Sequence, residues 1–145
     1  MKVETHSLKE FTKAVQTFAR ELVPRAGDAT VVGLSGDLGA GKTTFTQILA
    51  REFGVEEQVN SPTFVIEKIY DLANQRFTRL IHIDAYRLMG AEELRPLNWE
   101  EIIADKGNLI VIEWAENIAA ALPADTIHLS IVGSGEDRTI TFNTV

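Results

Sequence analysis

Residues 30–53 write out a strand, a glycine-rich turn and a helix with little freedom to be anything else. Thr30-Val31-Val32-Gly33-Leu34 is an apolar, β-branched run, and Thr43 to Phe53 is a helix-forming stretch. Between them lies Gly36-Asp37-Leu38-Gly39-Ala40-Gly41-Lys42-Thr43, which satisfies G-x-x-x-x-G-K-[ST] at every fixed position. Such a turn needs glycine because successive backbone N–H groups must converge on an anion that side chains would keep away. The helix that follows adds its unpaired N–H groups and the positive end of its dipole. The pattern predicts a phosphate cradle from Asp37, Leu38, Gly39, Ala40 and Gly41, with Lys42 reaching the β- and γ-phosphates and the Thr43 hydroxyl available to Mg²⁺.

At 145 residues, with 45% hydrophobic and 24% charged residues, the chain is expected to form one soluble domain, residues 1–145, around a single core. No apolar stretch follows Lys2, which predicts no secretory signal, and no run approaches bilayer-spanning length. The absence of cysteine excludes disulfides and thiolate metal sites and suggests the cytoplasm. Lys+Arg 14 against Asp+Glu 21 leaves a net charge of −7 with no basic tract. Such a chain is poorly suited to gripping a nucleic-acid backbone unaided, so any RNA should be held by a partner.

Ser7-Leu8-Lys9-Glu10 has the form of a capping box, and Phe11, Val15, Phe18 and Leu22 then recur at helical spacing. Gly54 reads as the stop of the second helix. Phe64 to Leu72 and Arg76 to Asp84 read as a hairpin turning at Ala73-Asn74-Gln75. Ala91 to Leu94 and Trp99 to Ala104 read as short helices, the second capped by Asn98. Asn108 to Glu113 suits a strand buried on both faces, and Thr126 to Val132 alternates. Gly133-Ser134-Gly135 is expected to turn the chain toward Arg138 to Phe142. The expected architecture is α/β: a P-loop NTPase-type sheet, parallel at its core with antiparallel hairpins attached, and helices on both faces.

A phosphate loop needs an acid at the end of a neighbouring strand to help hold Mg²⁺. Asp84 ends Leu80-Ile81-His82-Ile83-Asp84, and Glu113 ends Ile110-Val111-Ile112-Glu113, so two candidates stand in place. Asn60-Ser61-Pro62-Thr63-Phe64 reads either as a proline loop leading into a strand or as a hydroxyl-rich segment that senses the γ-phosphate. Trp114 reads as packing or as a nucleotide neighbour. The three histidines are too scattered in sequence to suggest a metal site.

Four segments together resemble the motifs of the bacterial TsaE (YjeE) ATPases in order and spacing, over almost the whole chain. They are Gly36 to Thr44, Ser61-Pro62-Thr63-Phe64, His82-Ile83-Asp84-Ala85-Tyr86-Arg87-Leu88 and Ile112-Glu113-Trp114-Ala115-Glu116. The resemblance implies ATP and Mg²⁺ as cofactors and weak ATPase activity dependent on TsaB and TsaD. It also implies a place in forming threonylcarbamoyladenosine beside the anticodon of tRNA. Carried over by motif position, Thr43 and Glu113 would ligate Mg²⁺, while Lys42 and Thr44 would contact phosphates. Asp84 would orient water or the metal's water shell, Ser61 and Thr63 would form the switch, and Trp114 would neighbour the nucleotide. Lys42, Asp84 and Thr63 are then the catalytic candidates, and Glu10, Phe11 and Arg138 fall where the family lines its adenine pocket.

Three other readings bear on this. A small-molecule P-loop kinase needs an acceptor pocket and an arginine-bearing lid, for which the chain has little room. A GTPase needs an Asn-Lys-x-Asp segment, which is absent, so adenine is favoured over guanine. A nucleotide-gated binding module that hardly hydrolyses differs little from the family reading.

Overall fold

Asn108–Glu113 is buried at every position, as an apolar run without alternation requires, and the rest of the sheet is arranged around it. The computed structural model describes residues 1–59 and 66–143. Its seven strands are β1 (Lys2–Thr5), β2 (Thr30–Ser35), β3 (Glu67–Asp71), β4 (Arg79–Asp84), β5 (Asn108–Glu113), β6 (Ile127–Ser134) and β7 (Asp137–Asn143). They lie in the order β1-β7-β6-β2-β5-β4-β3. The inner strands β6, β2, β5 and β4 are mutually parallel, and the outer pairings β1/β7, β7/β6 and β4/β3 are antiparallel. This is the mixed sheet that the sequence predicts.

Alternation along the parallel strands divides the interior in two. Val32, Leu34, Leu80, Leu109 and Val111 face α1 (Leu8–Glu21) and α2 (Lys42–Glu52), which supply Phe11, Val15, Phe45 and Leu49. Val31, Ile81, Ile83, Ile110 and Ile112 face the other way. There they meet α3 (Trp99–Ile103) and two 3₁₀ helices at Ala91–Leu97 and Ala115–Ala121, through Leu94, Trp99, Ile102 and Ile118. By the same alternation His82, Asp84 and Glu113 belong to the α2 face.

Several local expectations are met. Ser7 Oγ accepts the Glu10 N–H at 3.1 Å, and α2 gives way at Phe53 to Gly54 with φ +84. Others are corrected. The strands of the β3/β4 hairpin are shorter than expected, because Arg76 and Phe77 leave the ladder. Phe77 is fully buried edge-on to Phe53, and Arg76 reaches the end of α1. Part of the expected first strand, residues 64 and 65, lies outside the described residues. Asn98 does not cap α3 with its side chain. It adopts the left-handed conformation (φ 57), and its carbonyl accepts from Glu101 and Ile102 instead. The β6/β7 turn is tighter than expected, with Ser134 still paired to Asp137, so only Gly135-Glu136 forms the loop. Strand β1 and the 3₁₀ helix at Ala115–Ala121 are elements that the sequence patterns did not predict.

Arg76 ties the hairpin to the helix layer. Its Nε donates to Leu22 O (2.9 Å) and its Nη2 to Ala19 O (2.8 Å), which also accepts the Leu22 N–H (3.2 Å), so Arg76 adds two hydrogen bonds at the end of α1. Arg76→Met should therefore destabilise the domain by about 1–2 kcal/mol, read as a lower urea midpoint at unchanged slope.

Candidate functional site

The loop after β2 depends on three glycines for different reasons. Gly36 (φ +148) passes so close to β6 that a Cβ there would lie 2.3 Å from Ile131 O. Gly41 (φ +114) precedes α2, and a Cβ would touch the Phe11 ring at 3.4 Å. Gly39 (φ +79) faces open space. The two helices start differently. α1 has a side-chain cap and an acid in its first turn, whereas α2 starts at a glycine with no side-chain cap and no acid in its first turn. The α2 N-terminus is thus left able to accept an anion.

Lys42 follows the glycine loop, and lysine side chains are ordinarily exposed. It is buried instead (5% exposed) as the first residue of α2, because the Trp114 ring covers it. Its Nζ donates to Gly36 O and, at 2.9 Å, to Asp37 O, and it lies 4.1 Å from the Trp114 ring centroid. No carboxylate among the described residues forms an ion pair with it. Burial lowers the affinity of this amine for its proton, opposed by the fields of Glu113, Glu116, Asp37 and Asp84. A buried cation held by carbonyls and an uncapped helix start are both met by a phosphate group.

Register places Asp84 beside Glu113 and Leu34 on its other side, so both acids sit where the loop rises. Glu113 Oε1 accepts the Thr43 hydroxyl at 2.8 Å, and Glu113 Oε2 is 2.5 Å from His82 Nε2. Asp84 Oδ1 accepts the Tyr86 N–H at 3.0 Å. No group of three or more His, Asp or Glu among the described residues could cage a metal. Mg²⁺ does not need one: it commonly takes one or two carboxylates with waters and phosphate oxygens. Adjacent ligands of an octahedral Mg²⁺ are about 2.9 Å apart for Mg–O near 2.0–2.1 Å, which the Thr43 Oγ1 to Glu113 Oε1 spacing matches. The donor set fits that ion.

A cleft of about 390 Å³ joins these parts, lined by Leu38, Gly39, Gly41 to Thr44, Asp84, Tyr86, Glu113, Trp114 and Arg138. Trp114 is held at φ 59, uncommon outside glycine, with its ring 5.0 Å from that of Tyr86. A smaller hollow of about 120 Å³ adjoins at Gly41, Thr44 and Arg138 and adds Phe11, Ser7 and Gly135. Arg138 braces it, donating to Gly135 O, Asp137 O and Gly39 O. Arg138 thus lines both the cleft and the hollow, and Phe11 the hollow alone. Glu10 lies outside both linings, its carboxylate accepting the His6 N–H. Asp37 and Ala40 serve through backbone, Asp37 O receiving Ala40 N–H at 3.0 Å. Ser61 and Thr63 lie outside the described residues.

Three contributors escaped the sequence reading. The Tyr86 ring packs tilted (49°) against Trp114, and Asn117 Nδ2 donates to Ala85 O (2.9 Å) and Tyr86 O (3.3 Å), fixing the turn after β4. His82 is fully buried under Glu113. Its spacing two residues before Asp84 on a strand was the available signal, since i and i+2 share a face.

A glycine loop leading from a central parallel strand into a helix, with acids at the ends of neighbouring strands, defines the P-loop NTPase-type α/β class. Comparison with known proteins narrows this. The family model described as "Threonylcarbamoyl adenosine biosynthesis protein TsaE" matches residues 8–140. The tRNA threonylcarbamoyladenosine biosynthesis protein TsaE of Bacillus subtilis is 38% identical over 144 residues, covering 99% of this chain and 83% of that one. The protein of the same name from Streptomyces coelicolor is 43% identical over 108 residues, covering 74% and 70%. The crystal structure of Bacillus subtilis YdiB superposes with a TM-score of 0.76 at 31% identity, covering 100% of this chain and 85% of that one. The chain belongs to the TsaE family.

The loop's two kinds of glycine predict two outcomes. Gly39→Ala meets only the left-handed backbone penalty, about 1 kcal/mol. Gly36→Ala also drives a methyl into a β6 carbonyl and should cost about 2–4 kcal/mol. Thermal unfolding of the two variants should rank them in that order.

Proposed function

We propose that this protein binds ATP with Mg²⁺ and hydrolyses it slowly, and that it acts with TsaB and TsaD in the formation of threonylcarbamoyladenosine on tRNA. The observation that carries the nucleotide reading is the buried Lys42 ammonium, without a carboxylate partner among the described residues, beside an α2 N-terminus that has no side-chain cap. The pathway reading comes from family membership and from the names of the relatives.

In this reading the loop N–H groups and the start of α2 bind the phosphates, and Lys42 exchanges its carbonyl contacts for phosphate oxygens. Thr43 and Glu113 hold the metal. Bound Mg²⁺ supplies charge neutralisation on the β- and γ-phosphate oxygens. Asp84, next to Glu113 in register, orients water at the cleft, and Thr44 contacts the phosphates. Phe11 and Arg138 border the hollow proposed for adenine, and Trp114 shields Lys42 from solvent.

The partner part of the proposal follows from what the cleft offers. A chain of net charge −7 with no basic tract in its sequence is poorly suited to gripping a tRNA backbone unaided, so the partner complex binds tRNA and senses the nucleotide state here. The Ser61-Pro62-Thr63 segment, outside the described residues, is the proposed switch. No helix among the described residues is long and apolar enough to cross a membrane, and the proposed setting is the cytoplasm.

Purified protein should hydrolyse ATP slowly and be stimulated clearly by TsaB and TsaD together. Rapid turnover with a small-molecule acceptor, or no response to both partners, would overturn this reading in favour of a kinase or an unrelated ATPase. Lys42→Ala should weaken ATP binding about 100-fold by calorimetry, the loss of charge-assisted phosphate contacts of about 1.5–3 kcal/mol. Its nucleotide-free stability should change by less than about 1 kcal/mol, because the substitution removes the cost of burying the charge along with its two carbonyl bonds.

A further inference from the structure

His82 lines no part of the cleft, yet it touches the residue assigned to the metal. It is fully buried on β4, with Nε2 2.5 Å from Glu113 Oε2. Glu113 Oε1 takes the Thr43 hydroxyl at 2.8 Å. The carboxylate is therefore held at both oxygens, from below by a strand and from above by the first turn of α2. Without the lower contact the carboxyl group could rotate and present either oxygen to the loop. A carboxylate only accepts hydrogen bonds, so the ring hydrogen must sit on Nε2. Nδ1 is buried with no hydrogen-bond partner among the described residues. A side chain chosen for packing beside Leu80 and Val111 would leave no such atom.

The geometry points to His82 as a positioning residue: through Nε2–H it fixes the Glu113 carboxylate so that Oε1, beside the Thr43 hydroxyl, is the oxygen offered to a divalent cation. This rests on the proposed assignment of Thr43 and Glu113 as Mg²⁺ ligands. The arrangement has the form of the hydrogen bonds that orient metal ligands generally, whose loss typically weakens metal affinity 10–100-fold. Here histidine supports a carboxylate, where the usual order is the reverse.

The test is calorimetric titration of ATP into the full chain at a series of Mg²⁺ concentrations and in EDTA. His82→Leu should raise the Mg²⁺ needed for half-maximal tightening about tenfold or more, and leave ATP affinity in EDTA unchanged. His82→Gln, whose amide N–H can reach the same oxygen, should recover most of the loss, and His82→Asn, one carbon shorter, should not. In a Glu113→Gln background His82→Leu should add no further shift. The Gln and Asn pair carries the comparison should the leucine variant fail to fold. A wild-type Mg²⁺ dependence in His82→Leu, equal losses with Mg²⁺ and in EDTA, or no difference between Gln and Asn would overturn the role of His82. Wild-type protein that binds no ATP under either condition would overturn the reading of the site itself.

Discussion

The parallel register of β2 between β5 and β6 is the constraint on which the site depends. Leu34 pairs with Glu113 on one side and Leu129 on the other, so the chain leaves β2 where β5 ends, while β6 runs on to Ser134. The loop cannot drop back into the sheet. It rises past Ile131 so closely that only glycine fits at position 36, and it delivers α2 over the face that carries Glu113, His82 and Asp84. Apolar burial fixes the register: a one-residue slip of β5 would exchange Leu109 and Val111 for Ile110 and Ile112, and would turn Glu113 away from Thr43. The core packing and the position of the acid are thus one and the same requirement.

At this end of the sheet the usual stabilising devices are missing, while they are present a few ångströms away. α1 has Ser7 and Glu10 at its start and Arg76 at its end. α2 has no cap at its start, Lys42 is buried against carbonyls and an aromatic face, Trp114 is in a left-handed conformation, and His82 Nδ1 lacks a partner among the described residues. Each is a departure worth about 1–3 kcal/mol in an ordinary domain. They lie at or beside one cleft, and the proposed ligand, carrying negative charge and a divalent cation, would meet the needs of Lys42 and of the α2 N-terminus. Folding tolerates the deficit because β2, β4 and β5 beneath it are buried almost throughout.

The parts of the fold with strong periodicity were legible in sequence. Helix α1 announced itself through Ser7, Glu10 and the Phe11–Val15–Phe18–Leu22 stripe, and β5 through an unbroken apolar run. The phosphate loop was legible because its chemistry fixes residue identities at fixed spacing. What escaped was set by distant partners. Strand β1 is short and mostly polar and exists because β7 offers it an open edge. Residues 115–121 form two 3₁₀ turns kinked at Ile118 (φ −128), held at their start by Asn117 against carbonyls of the β4 turn, a contact across more than thirty residues of chain. Asn98 takes the N-cap position of α3 that its type suggests, but in a left-handed conformation and without a side-chain cap bond.

The burial of Lys42 and of His82 shows the same limit with more consequence. Sequence gives a charge or an imidazole its identity, while its environment comes from what lies across the sheet. Lys42 follows a glycine loop, which suggests exposure; Trp114, placed by the end of β5, closes over it. His82 looks like a lone histidine in an apolar strand until the parallel pairing of β4 and β5 brings Glu113 to its ring. Both placements follow from the same three strands and the same register. Any change that shifts β5 relative to its neighbours would therefore disturb the lysine, the acid and the histidine together, and their effects on the site should not be additive.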